Sequence, residues 1–164
     1  MALQSITALA SITLQSASAS ISFSGIPQNY RDLVLVFNGE ITASATLGAY
    51  RFNGDETSSY TGIYTANALS GTRSTTSADF FYQGAAGRSV ATIQVMDYSA
   101  TNKHKTILAR SGQTQEWVFM YANRWANTAA ITSMTLLPVS ASSPFTPLST
   151  WMAGTTINLY GRIA

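Results

Sequence analysis

The side chains that could do chemistry in this chain are few and far apart. His104 is the single histidine, set in Asn102-Lys103-His104-Lys105, and there is no cysteine. A zinc site needs three or four nitrogen, sulfur or carboxylate ligands, and the two flanking lysines would repel a cation. His104 therefore reads as a solvated loop residue. The seven acids (Asp32, Glu40, Asp55, Glu56, Asp79, Asp97 and Glu116) are scattered, and no spacing among them favours the facing carboxylates of a glycosidase. Asp55-Glu56 follows Asn53-Gly54 and suits a turn; it lacks the alternating oxygen ligands of a calcium loop. Gly84-Ala85-Ala86-Gly87-Arg88-Ser89 lacks the four-residue spacer and the lysine of a phosphate loop and precedes a strand, so it reads as a tight turn. No Gly-x-Ser-x-Gly elbow is present to activate a serine. The sequence thus assigns no catalytic residue, no cofactor and no metal, and the expectation is a protein that is not an enzyme. Five aromatics (Tyr60, Tyr64, Tyr98, Trp125 and Trp151) fall near predicted strand ends or in loops. Rings in such places serve as core residues, as anchors of protein interfaces, or as platforms for sugars.

The elements that position these residues are strands. Period-2 alternation dominates and helical spacing is nearly absent. Ile12 and Leu14 alternate with Ser11, Thr13 and Gln15, and Ile21 and Phe23 alternate with Ser20, Ser22 and Ser24. Leu33–Phe37 is apolar throughout, which predicts cover on both faces, the outer one by a loop or a neighbouring subunit. Tyr50-Arg51-Phe52 before Asn53-Gly54 predicts a hairpin, with its return strand at residues 60–65. Residues 66–78 carry almost no core-forming side chains and are expected to form a long exposed loop. Asp79–Gln83 is a short aromatic strand, and Ser89–Tyr98 pairs with Thr106–Ser111 across a polar loop. In Glu116–Trp125 one face carries Trp117, Phe119 and Tyr121, and the other Val118 and Met120. Ile131–Val139 and Thr155–Ile163 complete nine or ten short strands. The prediction is a single all-β domain over residues 1–164: an antiparallel two-sheet β-sandwich, jelly-roll-like.

Composition narrows the partners. The chain has 164 residues, of which 46% are hydrophobic and only 10% charged, against an ordinary charged share of about 25%. Ser and Thr make up roughly a quarter of it, far above ordinary usage. A surface of hydroxyls is cheaper to desolvate than one of charges, which suits life packed against other proteins. A net charge of +2 is too thin for a duplex-binding stripe, so no nucleic acid partner is expected. No run of 18 apolar residues predicts a membrane span. The first cation is Arg31, so the amino-terminal segment lacks the basic start of a signal peptide and is expected to be retained. The absence of cysteine fits assembly in a reducing cytoplasm.

Five blocks carry a resemblance. They are Ile21-Ser22-Phe23-Ser24-Gly25-Ile26-Pro27-Gln28-Asn29-Tyr30-Arg31-Asp32-Leu33-Val34-Leu35-Val36; Tyr50-Arg51-Phe52-Asn53-Gly54-Asp55 with Ser59-Tyr60; Ile93–Tyr98 leading to Lys105–Arg110; Trp125–Ile131; and Gly154–Gly161. From about residue 20 to the carboxyl end the chain resembles a family of small structural proteins of tailed bacteriophages, often met in phages of cyanobacteria and other aquatic hosts. The resemblance implies a β-sandwich protein of the virion exterior, assembled in the host cytoplasm. Such a protein would be a capsid decoration (cement) protein bound to the major capsid protein, or else a receptor- or glycan-binding head or tail appendage. It transfers no active-site residue and implies no cofactor.

A homotrimer is expected under either role, since shells offer threefold positions and fibres are commonly threefold. The candidate contact residues are Leu3, Ile6, Leu9 and Ile12 in a charge-free first segment that could add to a neighbour's sheet, Gly71 and Arg73 at the tip of the expected 66–78 loop, and the rings of Trp125 and Trp151.

Overall fold

A computed structural model describes residues 6–43, 45–66, 69–84, 87–113, 118–142 and 146–163. They form twelve strands, with no helix among the described residues. In chain order these are β1 (Ile6–Thr13), β2 (Ile21–Phe23), β3 (Asp32–Gly39), β4 (Thr46–Phe52), β5 (Tyr60–Ala66), β6 (Leu69–Thr75), β7 (Ala78–Gln83), β8 (Ser89–Met96), β9 (Lys105–Gln113), β10 (Val118–Trp125), β11 (Met134–Ser140) and β12 (Thr156–Arg162). All pairs are antiparallel, in an eight-stranded sheet of order β1-β12-β3-β8-β9-β10-β5-β6 and a four-stranded sheet of order β2-β11-β4-β7. The two-sheet sandwich read from the alternation is the observed architecture.

The strand order explains the size difference between the sheets. Without β5, β6, β9 and β10, the sheets reduce to β1-β12-β3-β8 and β2-β11-β4-β7. First strands pair with last strands in both, the double Greek key wrap of a jelly roll. Two hairpins, β5–β6 and β9–β10, are inserted between β4 and β7 and between β8 and β11. Both add to the free side of β8 and double the width of one sheet.

Alternation places one set of side chains between the sheets. Leu33, Leu35 and Phe37 of β3, Ile93 and Val95 of β8, and Ile157 and Leu159 of β12 meet Tyr50 and Phe52 of β4, Phe80 and Phe81 of β7, and Met134 and Leu136 of β11. Phe37 stacks on Phe81 at 5.1 Å and lies 5.3 Å from both Phe80 and Trp151. At the other end Phe52, Tyr60 and Trp125 form a second aromatic group. A smaller cluster of Leu47, Ala49, Leu137 and Val139 is buried on the far side of the four-stranded sheet.

Two expectations are corrected. β4 and β5 do not pair: the Asn53-Gly54 turn forms, with positive φ of 52° and 69° and Asp55 N–H donating to Phe52 O at 2.8 Å, but the chain then crosses to the other sheet. Residues 69–75 are not a loop but the edge strand β6, which brings the strand count to twelve. Within the chain, the strand Leu33–Phe37 is covered on its inner face, and Val36 on its outer face is 40% exposed. β1 pairs along its length with β12 and forms one edge of the eight-stranded sheet. Trp117 and the centre of the Gly84–Gly87 turn lie outside the described residues.

Candidate interaction surface

The contact residues named from the sequence fall into three places. Ile6 is exposed, while Leu9 and Ile12 are half-buried against the core; Leu3 lies outside the described residues. Gly71 and Arg73 sit on the inner side of β6, facing Tyr64 and Gly62 of β5. Trp125 and Trp151 are both fully buried, and this corrects their assignment as contact anchors. Each ring fills the sandwich, and each indole N–H finds an acceptor, as a buried one must: Trp125 donates to Asp55 Oδ2 at 2.7 Å and Trp151 to Leu136 O at 3.2 Å. Tyr60 and Tyr98 are likewise buried, and Tyr64 is half-buried.

Two acids have unusual surroundings, and both serve the fold. Asp55 accepts from Thr57 N–H and Oγ1, Ser59 Oγ and Trp125 Nε1. Burial works to raise its pKa, but these hydrogen bonds together hold it well below the usual carboxylate range. Asp79 of β7 pairs with the Arg73 guanidinium at 2.6 Å, and Arg73 also lies 5.1 Å over the Tyr64 ring. Burial pushes the Asp79 carboxyl up to about 6 in spite of the arginine, because desolvation penalises the charged form. Tyr50 and Tyr121 around it are raised for the same reason. Asn123 locks the cluster by donating to Tyr50 Oη at 3.0 Å and Asp79 O at 2.9 Å. A carboxyl near neutrality could exchange protons, but the adjoining cavity, bounded by Tyr60, Tyr64 and Tyr121, holds about 10 Å3, room for roughly one water. Among the described residues, no group of three His, Cys, Asp or Glu side chains lies close enough to hold a metal ion.

Lys105 is another buried charge. Its ammonium donates to the carbonyls of Ala100, Lys103 and Thr128 at 2.7, 3.0 and 3.2 Å, tying the β8–β9 loop to the segment after β10. Burial lowers its pKa.

What remains for a partner is the outer face of the eight-stranded sheet. Strand register aligns its outward residues in rows across the sheet. One row runs Asn38–Val90–Gly112–Val118, the next Val36–Thr92–Arg110–Met120–Thr65, and the next Val34–Gln94–Leu108–Ala122–Ile63–Thr72. Exposure of large apolar side chains concentrates here: Val118 is 67% exposed, Met120 60%, Ile63 58% and Val90 53%. Shallow depressions follow the strands, one over Gly112 between Val90 and Val118, another between Ile63 and Met120. By alternation with Leu33, Asp32 of β3 holds the one acidic outward strand position among the described residues; its side chain is buried and paired with Arg31 and Arg162. Arg110 and Arg124 stand on it without an ion pair or hydrogen bond among the described residues.

Part of this surface was legible in the sequence. The strand Leu33–Phe37, apolar on both faces, and the Val118/Met120 face of β10 announce apolar residues that cannot all point inward. Their union into one patch depends on the inserted hairpins, which no local pattern reveals. No family model matches the chain, and no curated protein matches it.

Proposed function

We propose that this chain is a non-enzymatic structural protein of a bacteriophage virion, a capsid decoration protein that binds and stabilises the shell of the major capsid protein. The observation that carries the reading is the uncovered outer face of the eight-stranded sheet, apolar and hydroxyl-rich and with few charges. A monomer in solution rarely leaves so many large apolar side chains together in water. The resemblance of residues 20 to the carboxyl end to phage structural proteins supports the same reading, as does a charged share of 10%. The alternative, a glycan-binding appendage, loses its main support, because Tyr60, Tyr98, Trp125 and Trp151, the rings offered as sugar platforms, are buried in the sandwich. Threefold positions of a shell make a homotrimer the expected working unit.

Copy number and shell stability test the proposal. Quantitative mass spectrometry of particles carrying this chain is expected to give hundreds of copies each, and shells assembled without it are expected to open at lower temperature. A count of a few to a few dozen, with unchanged shell stability, would replace decoration by the appendage role.

A further inference from the structure

We infer that the outer face of the eight-stranded sheet docks a protein surface of a different chain, one that is apolar and sets carboxylates against Arg110 and Arg124. The identity of that chain as the shell subunit rests on the decoration reading above; the chemistry of the contact rests on the face itself.

Size comes first. Seven interstrand spacings of about 4.8 Å and about 20 Å of strand give the face roughly 700 Å2, near the ~800 Å2 that each partner contributes to a standard stable interface. Apolar side chains occupy its middle. Around Arg110 stand Met120 in the same row, Leu108 two residues along the strand, and Val90 and Val118 on the diagonals. Gly112 carries no side chain, and a Cβ there would meet nothing within 4 Å, so a partner side chain can settle into the depression beside Arg110. An arginine set among apolar residues is a common anchor of binding surfaces.

Charge then selects the occupant. β8 and β9 are the fourth and fifth of the eight strands, so a second copy stacked face to face about a twofold axis would bring the two Arg110 side chains near each other. The outward positions beside Arg110 supply no carboxylate to separate them, since Asp32 lies two strands away and is already paired with Arg31 and Arg162, and unpaired like charges in a desolvated contact oppose association. Two free guanidinium groups are also too few for a nucleic acid backbone, which takes a stripe of cations, and Arg110 is flanked by apolar side chains that phosphates do not use. A partner with acids at two points on an apolar surface satisfies every group.

The test is co-sedimentation of the full chain with shells assembled from the major capsid protein of the phage that encodes it. Arg110→Glu, Arg124→Glu and Met120→Lys are each expected to weaken binding about tenfold or more, whereas Ser22→Glu, on the other sheet, binds as the parent does. Circular dichroism of each variant checks that the exposed changes leave the fold intact. If the parent binds and the three face variants bind equally well, the docking face is wrong and the decoration reading survives. Failure of the parent to bind shells overturns the decoration reading and the partner with it. Sedimentation of the chain alone, and mixing with phosphatidylglycerol vesicles or duplex DNA, covers the other occupants. Self-association, vesicle binding or DNA binding that Arg110→Glu abolishes would each overturn the inference.

Discussion

Asp79 is a carboxyl whose protonation favours the folded chain. Its pKa is about 6 in the fold against a usual 3.8, so the folded chain holds this proton more firmly than the unfolded chain does. The contribution to stability is fully present below about pH 4 and is lost as pH rises through 6; two pKa units correspond to about 3 kcal/mol. Asp79→Asn removes the titration. The stability of the parent minus that of the variant, from urea unfolding at pH 3.5 to 7.5, is therefore expected to fall by about 2–3 kcal/mol across this window. A difference independent of pH would show that Asp79 stays ionised beside Arg73. Asp55, held low by its donors, acts with the opposite sign but is common to both proteins and cancels. Nothing in the sequence distinguishes Asp79 from the other acids. Its partner Arg73 lies in a stretch that reads as a loop, and the pairing appears only when β6 and β7 are folded against each other.

At the level of elements, close approach between the sheets sets the tolerances. A Cβ on Gly48 of β4 would lie 2.1 Å from the Phe81 ring, which is fixed among Phe37, Phe80 and Trp151. Gly48→Ala is expected to cost about 1–3 kcal/mol by overpacking. Gly112→Ala, in a β9 position with open space above it, is expected to be neutral or slightly stabilising, since glycine is a poor strand residue. Equal destabilisation of both by urea would refute the packing argument. Strands with inward apolar residues, such as β8 and β9, are legible as a pair because alternation and a polar turn point the same way. β6 is not, because its inward positions are Gly71 and Arg73 and its stability comes from pairing with β5. The Asn53-Gly54 signal correctly marks a turn, yet a turn says nothing about which sheet receives the next strand. Here the Asp55 side chain, bound to Ser59 and Trp125, steers the chain toward β10.

For the molecule as a whole, the wrap matters more than any single strand. β1 pairs with β12 and β2 with β11, so each sheet needs both ends of the chain, and distant contacts of this kind form slowly. Unfolding is expected to be one cooperative transition, with tryptophan fluorescence and far-ultraviolet circular dichroism changing together. Two separated transitions would mean that the inserted hairpins melt on their own. The all-β class and the sandwich were legible because the alternation runs unbroken, whereas the unequal sheets were not, because the insertions are visible only as strand order. The pairing of the first and last strands has a mechanical consequence. Ile6 lies opposite Arg162, and the two strands run antiparallel from there to Thr13 and Thr156. Tension applied between these ends pulls along the interstrand hydrogen bonds, which lie perpendicular to the strands, and opens the pair like a zipper, one rung at a time. Load spread over the broad face of the sheet engages all the rungs together. A molecule tethered by its ends would yield early, while one held by its face would stay rigid under the same pressure.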